Sequence, residues 1–228
     1  MLPEVGEMVG IELAGLLIPG LAEPLSLTVP TGRVRAIVSP VWQVRRAVAD
    51  AVTGVAALPG RVSITGPADG RRRLVPVDGA LLPHLTVLEN IISTRRSARE
   101  RHAPEIEQEV RAKAAGFGLD GLLDRYPHEI PVGRRRMTGL ARALRARPDA
   151  LVLEDDEELP TWGALLATAW RGYQVRPGDS DHDEPRTAEL LVGVATLLIV
   201  PTQDRAKAFD TDPLVLAACE PEGRTSAG

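Results

Sequence analysis

Three stretches of this 228-residue chain carry residue types that could do chemistry. "RAIVSPVWQVRRAVADAVTG", Arg35 to Gly54, reads as a buried strand, a turn and a helix. Many proteins hold a nucleotide phosphate in that frame, on amides at a helix start. "LVLEDDEEL", starting at Leu151, ends an apolar strand in a run of acids, Glu154 to Glu158. Paired carboxylates there could bind a divalent cation or orient a water. "GRRRMTGLARALRARP", starting at Gly133, sets Arg134, Arg135 and Arg136 at a helix start, a charge suited to a phosphorylated or acidic ligand. Each stretch also has a plainer reading. The first turn, "SPVWQVRR", has no glycine and no lysine, so it also reads as an ordinary strand-to-helix turn. The acids read as a polar strand end, and the arginines as a solvated face with aliphatic stems on the surface. His84, His102, His128 and His182 lack metal-ligand spacing, and Cys219 has no evident base. No metal site is expected, and the thiol reads as structural.

Composition excludes several classes. A formal charge of −4 and a pI near 5.7 argue against a nucleic-acid binder, and 3% aromatic residues leave little for base stacking. A single cysteine cannot form an internal disulfide. "MLPEVGEMVGIEL" is acidic where a secretory signal needs cations. No apolar run approaches the roughly 20 residues of a membrane span. The expectation is a cytoplasmic chain without direct membrane insertion.

The elements that must position these residues follow from periodicity. Ile11–Leu17, Leu25–Val29 and Val34–Val38 read as strands, the third most apolar and central. A helix is expected over Arg45–Val55, a strand within Gly60–Gly66 and another over Leu74–Val77. A helix should start near Thr86, which has Glu89 at capping-box spacing. Pro104–Phe117 reads as an amphipathic helix and Leu119–Tyr126 as a shorter one. Met137, Leu140, Ala141 and Leu144 share one face of the next helix, before the buried strand Leu151–Leu153. A helix over Leu165–Trp170, a polar surface excursion over Arg176–Thr187, a buried strand in "VATLLIVPTQD" and a loose tail complete the pass. Strands alternating with helices predict an α/β fold with a mostly parallel core sheet, plus an early antiparallel β part.

From about Ile11 to Leu216 the order of segments resembles the ATP-binding subunit of ABC transporters. "LLPHLTVLENI", "RYPHEIPVGRRRMTGLARALRARPDALVLED" and "LLIVPTQDRAKAFDTDPLVL" carry the resemblance, and "LARALRARP" is close to the family's wording. It implies the nucleotide-binding-domain fold of that family: one domain over 1–219, with a small helical subdomain at about 90–145. An acidic insertion at 174–188 and a tail at 220–228 stand outside that pattern. It further implies a membrane permease, another ATP-binding subunit, or both, as partners.

Against the family's motifs the positions are altered. In the phosphate loop G-x-x-x-x-G-K-[ST], Ser39 and Val44 take the glycine positions, with Pro40 after the first. Arg45 replaces the lysine and Arg46 the magnesium-binding hydroxyl. Trp42 and Val44 are expected to fill the cradle. The Q-loop glutamine falls at Val77. The signature LSGGQ reads "IPVGR", with Pro131, Val132, Gly133 and Arg134 at its positions. Glu154 and Asp155 reverse the order of the Walker B acids, and Gln203 stands at the switch histidine. No aromatic lies near Leu16–Gly20 to stack adenine. The family sandwiches ATP between one subunit's phosphate loop and the other's signature, so pairing with an intact subunit would complete neither site. The expectation is a pseudo-ATPase in a transporter complex, with no functional catalytic residue and no cofactor. The alternatives are a divergent ATPase binding Mg-ATP weakly through Arg45, Arg46, Glu154 and Asp155, and a sensor using Arg134–Arg136.

Overall fold

The computed structural model describes residues 9–66, 70–93, 104–173, 189–191 and 193–217. The expected excursion at 174–188, the tail at 220–228, Cys219, His102 and His182 lie outside these residues. Strands β1 (Val9–Leu16), β2 (Leu25–Pro30) and β4 (Arg61–Ile64) form an antiparallel sheet in the order β2-β1-β4. Strands β3 (Val34–Val38), β5 (Arg72–Val75), β6 (Ala150–Glu154), β7 (Ala195–Val200) and β8 (Leu214–Val215) form a second sheet, ordered β5-β6-β7-β3-β8. Every pairing in it is parallel. The expected α/β architecture with an antiparallel part is therefore present.

The central strands β6 and β7 are buried on both faces and are apolar but for Glu154 and Thr196, whereas β3 carries Arg35 and the edge strand β5 carries Arg72 and Arg73. Side chains alternate between two cores. Ala36, Val38, Leu151, Leu153, Leu198 and Val200 face one, shared with α2 (Val87–Ile92), α4 (Val132–Arg145) and α5 (Trp162–Tyr173). Ile37, Ala150, Val152, Leu197 and Ile199 face the other, shared with α1 (Trp42–Thr53) and the antiparallel sheet. Helix α3 (Pro104–Lys113) adds Val110 to the first core, and the short α6 (Gln203–Ala206) follows β7. The core under the helical part is thus continuous with one face of the sheet.

Two sequence expectations need correction. Helix α1 starts at Trp42, not Arg45, and ends at Gly54, whose φ of 76° gives it a left-handed cap. Leu119–Tyr126 is a run of turns, not a helix. Gly118 just before it and Gly121 within it have φ of 63° and 69°. The segment's carbonyls are also committed elsewhere: Leu123 and Arg125 accept from the amides of Leu88 and Val87, at 2.9 and 2.8 Å. They satisfy donors that a helix start leaves open. The capping box at Thr86 forms as the spacing predicts, with Thr86 Oγ1 accepting from the Glu89 amide and the Glu89 carboxylate accepting from the Thr86 amide.

One close approach matters for the site. The turn Pro76–Gly79, closed by a 2.9 Å bond from the Gly79 amide to the Pro76 carbonyl, abuts α4. A Cβ on Gly79 would lie 2.3 Å from the Arg135 carbonyl oxygen, and one on Gly139 would lie 2.7 Å from that of Gly79. Gly79 also has φ of 81°. Gly79→Ala is expected to cost about 3 kcal/mol, from the unfavourable φ and the steric overlap together. Urea unfolding of the two proteins measures it, and a loss below about 1 kcal/mol would mean that the turn can move off the helix.

Candidate functional site

The first residues of interest sit where β3 ends. Ser39 is fully buried, and its amide continues the ladder to the Val200 carbonyl at 3.0 Å. Pro40 and Val41 then turn the chain, and α1 begins at once. No side-chain acceptor caps its first amides; the N-cap position is held by Val41. Residues 42–44, which would form the loop around a phosphate in the family pattern, are wound into the first turn of the helix. They sort by helical face. Val44 is buried in the core beneath α1, while Trp42 is 63% exposed. The expectation that Trp42 and Val44 together fill a cradle is therefore wrong for Trp42. It is on the solvent side, and there is no loop for it to fill.

Arg45 and Arg46 stand on this helix but are committed to protein acceptors. The Arg45 guanidinium folds back and donates to the carbonyls of Ser39 and Pro40, at 2.9 and 3.1 Å. A phosphate loop offers backbone donors to an anion; here two backbone acceptors are offered to a resident cation. Arg46 donates through Nε to Asp50, at 3.1 Å, one turn along the helix. It also pairs with Glu154, Nη1 to Oε1 at 3.7 Å.

Strand alternation separates the two acids expected to act together. Glu154 is the last residue of β6 and faces α1, with its side chain 12% exposed. Burial raises its pKa above the ordinary 4.5, with Arg46 and Arg45 opposing and Asp50 reinforcing the shift. Asp155 extends the ladder by one bond, its amide donating to the Ile199 carbonyl at 2.9 Å. Its side chain is fully buried and faces α4 and α6. Oδ1 accepts from Arg136 Nη2 at 2.8 Å, from Arg205 Nη2 at 2.9 Å and from the Asp156 amide at 3.0 Å. Oδ2 accepts from Arg205 Nε at 2.9 Å. A carboxylate between two guanidiniums, with four donors on its two oxygens, is neither a free metal ligand nor a base.

Arg136 is the residue the sequence misplaced most. It reads as part of a surface cluster with Arg134 and Arg135, yet it is fully buried while those two are half-buried. Its guanidinium lies 4.3 Å over the Trp162 ring, and donates to the carbonyls of Pro160 and, at 3.1 Å, Glu154. The Trp162 indole N–H also donates to the Glu154 carbonyl, at 2.8 Å. Desolvation pushes the Arg136 pKa down from its usual range, and Asp155 counteracts it. Arg134, Arg135 and Arg136 therefore do not form one ligand-facing cluster. On the far side, Arg205 donates to the carbonyls of Leu159 and Glu157 at 2.6 and 3.3 Å. Neither Arg205 nor Trp162 was singled out in the sequence. An arginine two residues after Gln203 and a tryptophan at a helix start carry no local sign of a buried ion pair.

The remaining positions are apart from these. Val77 lies in the turn after β5, half-buried, where the expected strand has already ended. Gly79 and Ala80 in this turn give their carbonyls to Arg142 of α4, each at 2.8 Å. Pro131 is the N-cap of α4, exposed and without a side-chain cap bond; Val132 is half-buried, and Gly133 packs under Leu165. Gln203 is exposed at the start of α6. Among the described residues no group of three or more His, Cys, Asp and Glu could hold a metal ion. No helix among them is long and apolar enough to cross a membrane.

No family model matches the chain. Relatives are nonetheless clear. The iron(III) import ATP-binding protein FbpC of Pseudomonas fluorescens is 31% identical over 203 residues, covering 82% of this chain and 51% of the relative. The molybdate/tungstate import ATP-binding protein WtpC of Archaeoglobus fulgidus is 34% identical over 152 residues, covering 61% and 62%. The chain thus spans less than two thirds of these relatives, and about two fifths of others with comparable names. Among solved structures, cbiO1 of Clostridium perfringens, described as part of the ABC transporter complex cbiONQ, superposes with a TM-score of 0.66 at 14% identity, covering 92% of this chain and 85% of that one. Its homologues and structural neighbours are ABC transporter ATP-binding subunits, and its fold is that of their nucleotide-binding domain.

The raised Glu154 pKa makes a pH prediction with a definite sign. The folded protein holds this proton more tightly than the unfolded chain. Glu154 therefore removes stability as pH rises from its ordinary 4.5 through its raised folded value. Glu154→Gln should gain on the parent protein across that window and hold the gain at neutral pH. Denaturant unfolding from pH 4 to pH 8 reads the difference; a variant that loses relative to the parent as pH rises would show that the pair with Arg46 outweighs burial.

Proposed function

We propose that this chain, with homologues among the ATP-binding subunits of importers, serves a transporter complex without hydrolysing ATP, as a structural or regulatory subunit. The observation that carries this reading is the occupancy of the site by the protein's own groups. Where a phosphate would need amides, Arg45 holds carbonyls. Where magnesium or water would need carboxylates, Glu154 meets Arg46 and Asp155 meets Arg136 and Arg205. Phosphoryl transfer works almost entirely by positioning and charge stabilisation, so losing these groups together removes the means of catalysis. Rebuilding the site would require breaking the buried pair at Asp155, at a cost of about 3–5 kcal/mol, before any ligand contact is gained.

Titration calorimetry and thermal unfolding with Mg-ATP test the reading. Neither heat of binding nor a rise in Tm is expected at millimolar nucleotide. A bound nucleotide at 100 times its Kd would stabilise the fold by about 2.7 kcal/mol, and a rise of that size would overturn the proposal.

The partner is proposed to be a membrane permease, engaged through the surface around Val77–Ile92. In that stretch Asp78, Ala80, Leu82, Pro83, His84 and Glu89 are exposed, while the apolar side chains of α2 are buried. Co-expression with a candidate permease subunit should yield a complex that survives affinity purification. Recovery of the chain only as a free monomer would exclude that partner.

A further inference from the structure

We propose that Arg136, Asp155 and Arg205 form an interlock that fixes the helical part α2–α4 on the parallel sheet in a single orientation, whether or not nucleotide is present. The inference does not rest on the reading above, because it concerns what holds the helices rather than what the site binds.

Helix α4 is fastened near both ends to elements of the sheet. Near its start, Arg136 reaches across to the β6–α5 loop, where Asp155 and the carbonyls of Glu154 and Pro160 accept its donors and Trp162 covers its face. Near its end, Arg142 grips the carbonyls of Gly79 and Ala80 in the turn that follows β5. Between these ties the Gly79 and Gly139 backbones meet too closely for a side chain at either position. Arg205 holds the same β6–α5 loop from α6, through both Asp155 oxygens and the carbonyls of Glu157 and Leu159.

The chemistry makes the first tie all-or-none. Rotating α4 away from the loop would strip one buried guanidinium of a carboxylate, two carbonyls and an aromatic face at once. It would leave Asp155 with one arginine where it has two. A buried charge tolerates partial loss of its partners poorly, because no solvent is there to replace them. Sliding is blocked at the other tie by backbone contact, not by a flexible side chain. The donors come from α4 and α6 and the acceptors from the loop between them, so three elements move together or not at all.

Electron-spin distance measurement tests the interlock. Labels are placed at Gln108→Cys on α3 and Val55→Cys after α1, both exposed, in a Cys219→Ser background. The parent protein should give one narrow distance distribution, unchanged by millimolar Mg-ATP. Arg136→Met combined with Arg142→Ala should widen it by about two-fold while the fold's circular dichroism is kept. A broad or nucleotide-shifted distribution in the parent overturns the proposal, and so does a doubly substituted protein as narrow as the parent. The parent measurement decides the matter alone if the double variant does not fold. Calorimetry on the same samples separates the two readings: ATP binding without a distance change defeats only the non-binding subunit, and a broad distribution without binding defeats only the interlock.

Discussion

A carboxylate buried at the end of a parallel strand has to be neutralised, and how Asp155 is neutralised organises much of this molecule. In the absence of solvent its charge can be carried by a metal, a ligand or another side chain. Here two arginines carry it, one from α4 and one from α6. That choice dictates others. Arg136 must be buried to reach Asp155, so its own charge needs acceptors and a face, which the Glu154 and Pro160 carbonyls and Trp162 supply. The loop after β6 must then run close beneath α4, and α6 must return its Arg205 to the same point.

The same logic runs along the strand-to-helix turn after β3. A turn that holds an anion must leave its amides free, and glycine makes that backbone possible. This turn is too short for it. With α1 starting at Trp42, only Ser39, Pro40 and Val41 separate strand from helix, and the nearby cation is used on carbonyls. The two changes agree. Without an anion to hold there is no need for a long loop, and without a long loop Arg45 is free to fold back.

Much of the fold was legible in the sequence. The apolar strands at Val34–Val38 and Leu151–Leu153, the capping box at Thr86 and the stripe of Met137, Leu140 and Ala141 each carry a local signal, and each appears in place. Leu119–Tyr126 misled because Leu119 and Leu123 are indeed buried, but on turns whose carbonyls serve α2. The positions equivalent to the family's motifs could be read off one by one. Their partners could not. Trp42 and Val44 sit two residues apart, and only the true start of α1 shows that one faces the core and the other solvent.

By itself the sequence determined the period of the long apolar elements, the α/β order and the absence of glycine and lysine from the turn after β3. Those are local properties: they depend on which residues stand next to or one turn from each other. Only the tertiary structure decided what the charges do. Arg134, Arg135 and Arg136 are consecutive and chemically alike, yet one is fully buried, because helix rotation points it at a carboxylate 19 residues away in the chain while its neighbours turn elsewhere. The second arginine on that carboxylate lies 50 residues away. Solvation sets the cost of a charge, and solvation is a property of the packed fold that no stretch of sequence contains.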